Sequence, residues 1–209
     1  MDWAKFLALD SKTEAILKAD TLAREHKLSL HSVHAALKRQ ERKGFVERVA
    51  RNIYLNKLAR GFELRELAGA VRPHSYVSLQ SALAEWGISS QLPALLTCVS
   101  ATYVRDIKTA SVHITFRKIK KELFWGFSKK KGRYLSYNLA EPEKALLDWV
   151  YFCRMDALPV SLDEIRIESL NRTRLLDYAH KYPLPVEKVV LTALAESQPN
   201  VDAVGQRRD

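Results

Sequence analysis

The residues best suited to bind another molecule are polar and cationic side chains between positions 31 and 51. Those at the start of this stretch are short and polar, and those that follow are mostly long and cationic. They are His31, Ser32, His34, Lys38, Arg39, Arg42, Arg48 and Arg51. Short polar side chains can approach base edges, whereas long cationic ones reach phosphate oxygens. The order of these types indicates contacts to double-stranded DNA.

A second group of cationic residues follows later in the chain. Its members are Lys118, Lys120, Lys121, Lys129, Lys130, Lys131 and Arg133. A solvated charged hairpin and a second nucleic-acid contact surface explain this group equally well, and the sequence leaves both open.

The distribution of charge also favours a polyanionic partner. The 209 residues carry a formal net charge of +10. Residues 1–60 hold thirteen Lys and Arg against seven acids, and residues 105–134 hold ten against two. Two separate basic blocks favour a polyanion more than a uniformly basic surface would.

The first group must be positioned by the elements between Asp20 and Asn56, which predict a winged helix-turn-helix. Asp20 is predicted to N-cap a short helix with Leu22, Ala23 and His26 inward. Lys27-Leu28 makes the turn.

Ser29 is predicted to cap a second helix, and Gly44 to end it. The inward face of this helix is Val33, Ala36, Leu37 and Gln40. Strands are expected at 45–49 and 53–56, joined by a tight turn in which Asn52 is left-handed. The alternative is a helix-turn-helix that binds a protein, but pattern and charge together favour DNA.

The remaining N-terminal segments complete this domain. Residues 1 to about 19 are predicted to be helical, with Trp3, Phe6, Leu7, Ile16 and Leu17 as apolar anchors, and another helix is expected at 62–70. Arg72-Pro73 marks a boundary, because the residue before proline is driven from the helical region. We expect a winged helix-turn-helix domain at 1–58, a linker at 59–72, an α/β domain at 73–196 and a flexible tail at 197–209.

The second domain is predicted to contain an antiparallel-rich sheet and C-terminal helices, which makes the fold class α+β. A helix is expected at 75–86, and Lys129 to Arg133 reads as a charged turn. Strands are predicted at 95–100, 112–117, 124–127 and 134–139, and later helices at 141–153, 162–182 and 186–195, with breaks at Pro183 and Pro185. Val112, Ile114 and Phe116 should share one buried face.

Catalysis finds little support in this sequence, and no enzyme, cofactor or metal is expected. His31 and His34 are three apart on a helix but have no third ligand at suitable spacing. A metal-dependent nuclease using Glu141, Glu143, Lys144 and Asp148 is the least favoured alternative, since adjacent helix residues diverge by about 100°. A structural role suits this segment better, because Lys144 and Asp148 form an i, i+4 pair.

Composition predicts a soluble, cytoplasmic protein. Cys98 and Cys153 lie in apolar surroundings without CxxC spacing, so both are interpreted as small core residues. The N-terminus does not resemble a signal peptide, and no apolar run approaches the roughly 20 residues that cross a bilayer. No heptad repeat is present, so we expect no membrane association and a monomer in solution.

Two motifs in the second half resemble a known family. The first runs from Pro73 to Leu83 (PHSYVSLQSAL) and continues with Trp86-Gly87-Ile88, and the second is Ala140 to Asp148 (AEPEKALLD). Their order and spacing behind the N-terminal helix-turn-helix resemble the AbiEi-type antitoxins of type IV toxin–antitoxin systems. The resemblance covers residues 15 to 155.

The resemblance implies a DNA-binding antitoxin that represses its own operon. In such pairs the winged domain binds operator repeats, and the C-terminal domain is needed for repression and antitoxicity. The toxin is a nucleotidyltransferase-like protein, and direct binding between the two is not generally required. The alternative is a winged-helix regulator of an unrelated operon, whose C-terminal domain binds a ligand or a protein partner.

Overall fold

The chain folds as a mixture of helices and sheets that divides into two compact units. The computed structural model describes residues 3–8, 15–59, 61–91, 93–103 and 105–196. The first unit comprises Met1–Val77 and Leu95–Leu139, and the second comprises Ser78–Ala94 and Ala140–Asp209. The predicted borders at 58 and 73 remain a prediction, because compactness does not by itself define an independently folding domain. The predicted flexible tail at 197–209 lies outside the described residues.

The described residues form eight helices and nine strands. The helices are α1 (Trp3–Ala8), α2 (Ala19–Glu25), α3 (Leu30–Arg42), α4 (Leu64–Val71), α5 (Leu79–Glu85), α6 (Pro142–Met155), α7 (Arg172–Ala179) and α8 (Leu184–Glu196). The strands are β1 (Ile16–Lys18), β2 (Val46–Ala50), β3 (Ile53–Asn56), β4 (Ser75–Val77), β5 (Leu96–Ser100), β6 (Ile107–Lys108), β7 (His113–Lys118), β8 (Phe127–Lys131) and β9 (Ser136–Ala140). Short 3-10 turns occur at Lys121–Leu123 and Ile167–Ser169.

A three-stranded sheet in the order β1-β3-β2 backs the helices at the start of the chain. The prediction of helix through residue 19 is wrong at 16–18, where β1 pairs antiparallel with β3, and residues 9–14 lie outside the described residues. The partner of β1 is distant in sequence, so local periodicity cannot reveal this strand. The predicted anchor Leu7 is buried in the core with Leu17, Leu37 and Tyr54.

The start of α2 also differs from the prediction. Asp20 is not the N-cap: α2 begins at Ala19, and Lys18 occupies the capping position without a side-chain hydrogen bond. The reason is that β1 leads directly into the helix, and the Ala19 amide donates to the Asn52 carbonyl at 2.8 Å. His26 is exposed rather than inward, and its ring lies edge-on to Phe6 with centroids 5.4 Å apart.

The larger sheet of the first unit has six strands in the order β6-β7-β5-β4-β9-β8. It is mixed, since β4–β5 and β6–β7 are antiparallel whereas β5–β7 and β4–β9 are parallel. The predicted alternation is confirmed, with Val112, Ile114 and Phe116 buried. Three expectations are wrong. Residues 75–77 form β4 rather than the start of a helix, and the predicted strand at 124–127 has only Phe127 in common with β8. The predicted charged turn at 129–133 belongs to strand β8 as far as Lys131.

The second unit contains α5, the long helix α6 and the C-terminal helices α7 and α8. The prediction of one helix over 162–182 is wrong, because α7 spans only Arg172–Ala179. Asn171 limits it at the start, since its side chain accepts from the Arg174 amide at 2.9 Å. Pro185 does not break α8, because it lies in the first turn, where a proline removes no helical hydrogen bond.

Both cysteines are buried and carry free thiols, as predicted. Across the residues that the structure describes, no helix combines the length and the apolar character needed to cross a lipid bilayer.

Candidate nucleic-acid interface

The outward face of α3 carries most of the candidate DNA-contacting residues. His31, Ser32, Lys38, Arg39 and Arg42 are exposed on this helix. The opposite face is buried through Val33, Ala36, Leu37 and Gln40, as the spacing predicted. Burial of one face fixes which side chains the helix can present to a partner.

The start of α3 is held by its predicted cap. The Ser29 side chain accepts a hydrogen bond from the Ser32 amide at 3.1 Å, and the two hydroxyls lie 2.8 Å apart. At the other end Gly44 adopts a φ of +78°, a conformation that a glycine adopts without strain. Both ends of the helix are therefore fixed by local sequence, and its polar N-terminal turn stays open.

His34 occupies a different environment from the other candidates. It is half-buried, and its Nδ1 atom lies 3.0 Å from the Tyr54 hydroxyl on β3. Burial raises the pKa of Tyr54; the charge of Arg48 lowers this pKa and the charge of Glu41 raises it, both by smaller amounts. One His34 nitrogen is thus used to link the helix to the hairpin, which leaves Nε2 as the atom available to a ligand.

The hairpin of β2 and β3 presents Arg48 and Arg51, and both side chains are exposed. The Arg48 amide donates to Glu41 Oε1 on α3 at 3.0 Å, and the ladder shifts register between Arg48 and Ala50. Asn52 adopts a φ of +62°, as predicted for this turn. The bulge and the left-handed residue twist the hairpin end, which sets the direction of its two arginines.

A cleft of about 450 Å³ separates α3 from the hairpin. Its lining is Leu30, His34, Lys38, Glu41, Arg48, Arg51, Asn52 and Tyr54. The lining contains three cationic side chains and one carboxylate, Glu41, so the cleft carries a net positive charge. Chemically, this arrangement suits oxygen acceptors with negative charge, such as phosphodiesters.

Sequence reasoning missed Tyr54 and Glu41, which position the candidate residues without being among them. Tyr54 was read only as part of a strand, although an aromatic residue with a hydroxyl needs a partner when buried. The sequence does not mark Glu41 as a positioning residue, because an acidic residue on a basic helix is ordinarily a solvated surface charge.

The second group of cations is divided by the sheet order. Lys118 ends β7, whereas Lys129, Lys130 and Lys131 lie on the edge strand β8. Strands β7 and β8 are four strand-to-strand steps apart in the sheet, which corresponds to about 19 Å. Lys120, Lys121 and Arg133 lie in the connecting segments, and all three are exposed.

The carboxylates of α6 and of Glu141, the residue directly before it, each have a separate structural partner. Glu141 Oε2 accepts from the Tyr178 hydroxyl at 2.6 Å, and Glu143 Oε1 accepts from the Asn171 amide at 2.8 Å. This bond to Glu141, together with burial, raises the pKa of Tyr178 to about 12. Asp148 pairs with Lys144, and both side chains are fully buried. Among the described residues, no group of three or more His, Cys, Asp or Glu is arranged to hold a metal ion.

No model of a known protein family matches this chain, and no curated protein sequence matches it either.

Proposed function

We propose that this chain is a DNA-binding transcriptional repressor whose N-terminal segment acts as a winged helix-turn-helix. In this proposal α3 enters the major groove with His31 and Ser32 near base edges, while Lys38, Arg39 and Arg42 bind phosphates. Arg48 and Arg51 on the hairpin add backbone or groove contacts.

The observation that carries the proposal is the cationic cleft between α3 and the hairpin. Lys38, Arg48 and Arg51 come from two different elements and line one cleft. Cations that serve only to keep a helix surface solvated need not lie beside cations from another element. A DNA duplex, in contrast, would contact the helix and the hairpin together.

We further propose that the chain is the autoregulating antitoxin of a type IV toxin–antitoxin operon, a proposal that rests on the resemblance of residues 73–88 and 140–148 to AbiEi-type antitoxins. The partner toxin is then a nucleotidyltransferase-like protein. Growth rescue on co-expression with the toxin gene of the same operon tests this part. Continued toxicity at full expression of this chain would reject it.

Electrophoretic mobility shift on the chain's own promoter tests DNA binding. The Arg39→Ala variant should lose most of the specific shift against random competitor at near-physiological salt. Arg172→Ala is the matched control, since it removes the same charge from an exposed position on α7 in the second unit. Equal shifts on promoter and random DNA would reject a repressor, and no shift at all would reject DNA binding.

A second candidate function is favoured by a groove in the second unit. It measures about 710 Å³ and is lined mainly by one face of α8 and residues 160–163, including Val160, Leu184, Val189 and Lys188. Volumes of this size accommodate small ligands. The chain would then be a winged-helix regulator of an unrelated operon, controlled by what binds this groove. The identity of the neighbouring gene distinguishes the two.

A further inference from the structure

Glu47 connects the β2–β3 hairpin to a turn of the larger sheet within the first unit. It lies on β2, directly before Arg48. Its Oε1 atom accepts hydrogen bonds from the amides of Ala110 at 2.9 Å and Ser111 at 3.3 Å. These amides belong to the tight turn between β6 and β7, which is closed by the Thr109 amide donating to the Val112 carbonyl at 2.8 Å.

The carboxylate is held in its charged form by this turn. Burial raises the pKa of Glu47, but the polar groups of the 109–111 turn, including the Ser111 and Ala110 amides, outweigh the effect of burial. The pKa therefore lies below its ordinary value. Because the pKa of this carboxyl is lower in the folded protein than in the unfolded chain, the contact contributes fully to stability above the unfolded-state pKa. This contribution is lost as the pH falls through the folded-state pKa. At neutral pH, the contact is a charge-assisted one.

An acidic residue at this position is unfavourable for DNA binding on electrostatic grounds alone. It is adjacent to Arg48 and five residues before Asn52, so it lowers the positive potential of the hairpin. Its geometry offers a different role, because a carboxylate that binds two successive amides fixes the orientation of the strand that carries it.

We propose that Glu47 is a positioning residue that holds the β2–β3 hairpin against the 109–112 turn, and that this contact sets the affinity for DNA. The proposal rests on the function proposed above. Glu47 itself touches no phosphate. It acts through Arg51 and Arg48, whose placement it fixes, and it makes the 109–112 turn a point from which the larger sheet controls the hairpin.

The test compares Glu47→Ala with the conservative Glu47→Gln, which removes the charge but keeps an acceptor oxygen. If Glu47 positions the hairpin, Glu47→Ala weakens operator binding on the order of five-fold, the loss expected when one charge-assisted interaction is removed. Glu47→Gln then keeps most of the wild-type affinity. If charge alone mattered, both variants would bind more tightly. Tighter or unchanged binding of Glu47→Ala overturns the proposal.

A double-mutant cycle distinguishes positioning from general loss of stability. In an Arg48→Ala/Arg51→Ala background, Glu47→Ala should weaken binding less than two-fold, because both arginines that it positions are already gone. An equal loss in both backgrounds overturns the proposal. Glu122→Ala is the control for charge, since Glu122 is exposed in the same unit and outside the hairpin.

Hydrogen–deuterium exchange tests the contact between Glu47 and the 109–112 turn independently of DNA binding. The amides of Ala110 and Ser111 should be protected in the wild type and in Glu47→Gln, and unprotected in Glu47→Ala. If the wild type is protected but binds no DNA, the proposed function fails and the role of Glu47 in affinity fails with it, while the contact stands. Equal exchange in wild type and Glu47→Ala overturns the contact itself.

Discussion

Helices α3 and α6 both carry lysines and acids, yet they use charge in opposite ways. On α3 the cations Lys38, Arg39 and Arg42 are exposed, and the buried face is almost entirely apolar. On α6 the ion pair of Lys144 and Asp148 is fully buried. The difference shows that residue type and helical spacing alone do not tell whether a charge is exposed to solvent or is part of the packed interior; its burial does.

The buried charges of α6 form a closed network. Asp148 accepts from the Ser78 hydroxyl at 2.7 Å and from the Tyr182 hydroxyl at 2.6 Å, and Lys144 donates to that same hydroxyl at 2.6 Å. Lys144 also donates to Asp148 directly. Burial lowers the pKa of Lys144, and Asp148 opposes that shift. The network joins α6 to the start of α5 and to the residues before α8, which explains why polar residues are tolerated there.

The largest loss of stability is expected when one charge is removed from this network. Asp148→Leu removes the carboxylate that faces the Lys144 ammonium, and the free energy of unfolding should fall by about 3–5 kcal/mol. Chemical denaturation measures it. Lys188→Met, which removes an exposed lysine from α8, should change the free energy by less than about 0.5 kcal/mol.

The double variant Lys144→Met/Asp148→Leu sharpens the same point. Replacing both charges by apolar groups avoids a buried charge without its counter-charge, so the double variant should be more stable than Asp148→Leu alone. A double variant as unstable as the sum of the single ones would mean that the pair contributes favourably in its own right.

Removing an exposed cation of the hairpin should have the opposite effect: it should weaken DNA binding and leave stability almost unchanged. Arg51→Ala should leave the free energy of unfolding within about 0.5 kcal/mol of the wild type. It should weaken operator binding and reduce the slope of log affinity against log salt by about 1, because one phosphate contact is lost. A salt titration of binding measures this slope. A large loss of stability instead would remove the contrast between the exposed cations of the N-terminal segment and the buried charges of α6.

Tyr54 is the point where the proposed DNA surface meets the buried core. Tyr54→Phe removes the hydroxyl that contacts His34 Nδ1, and stability should fall by about 1 kcal/mol. The control is Tyr103→Phe, because Tyr103 is 75% exposed and its hydroxyl can be solvated in either state. Thermal unfolding of the two variants side by side gives the comparison, and equal melting temperatures would show that the His34 contact contributes nothing.

The sequence predicted those elements that are specified by neighbouring residues. The Ser29 cap, the buried face around Val33 and the left-handed Asn52 all follow from local rules, and all are present. The strands at 16–18 and 75–77 were missed, because each has three residues and pairs with a strand far away in sequence. Periodicity over three residues cannot separate a strand from a helix.

The candidate site was predictable for its exposed members and not for the residues that hold them. Arg39 and Arg51 follow from helical and hairpin geometry, and both are exposed. Glu47 and Glu41 depend on contacts with backbone amides, which no side-chain pattern reports. The charge of Lys129 to Lys131 predicts a turn, yet charged residues are also typical of an edge strand such as β8.

The smallest expected change in stability concerns the backbone at Asn52, next to the hairpin residue Arg51. Asn52 has a φ of +62°, which costs an alanine more than it costs asparagine and costs glycine nothing. Asn52→Ala should therefore lower the free energy of unfolding by about 0.5–1 kcal/mol, whereas Asn52→Gly should change it by a few tenths. Because Asn52 adjoins Arg51, both the turn and the arginine should shift in Asn52→Ala, and operator affinity should fall with stability. Denaturation and salt titration of both variants measure the two quantities together. If Asn52→Ala matched Asn52→Gly in both, the left-handed residue would have no part in directing Arg51, and the hairpin would owe its orientation to the contacts of β2 alone.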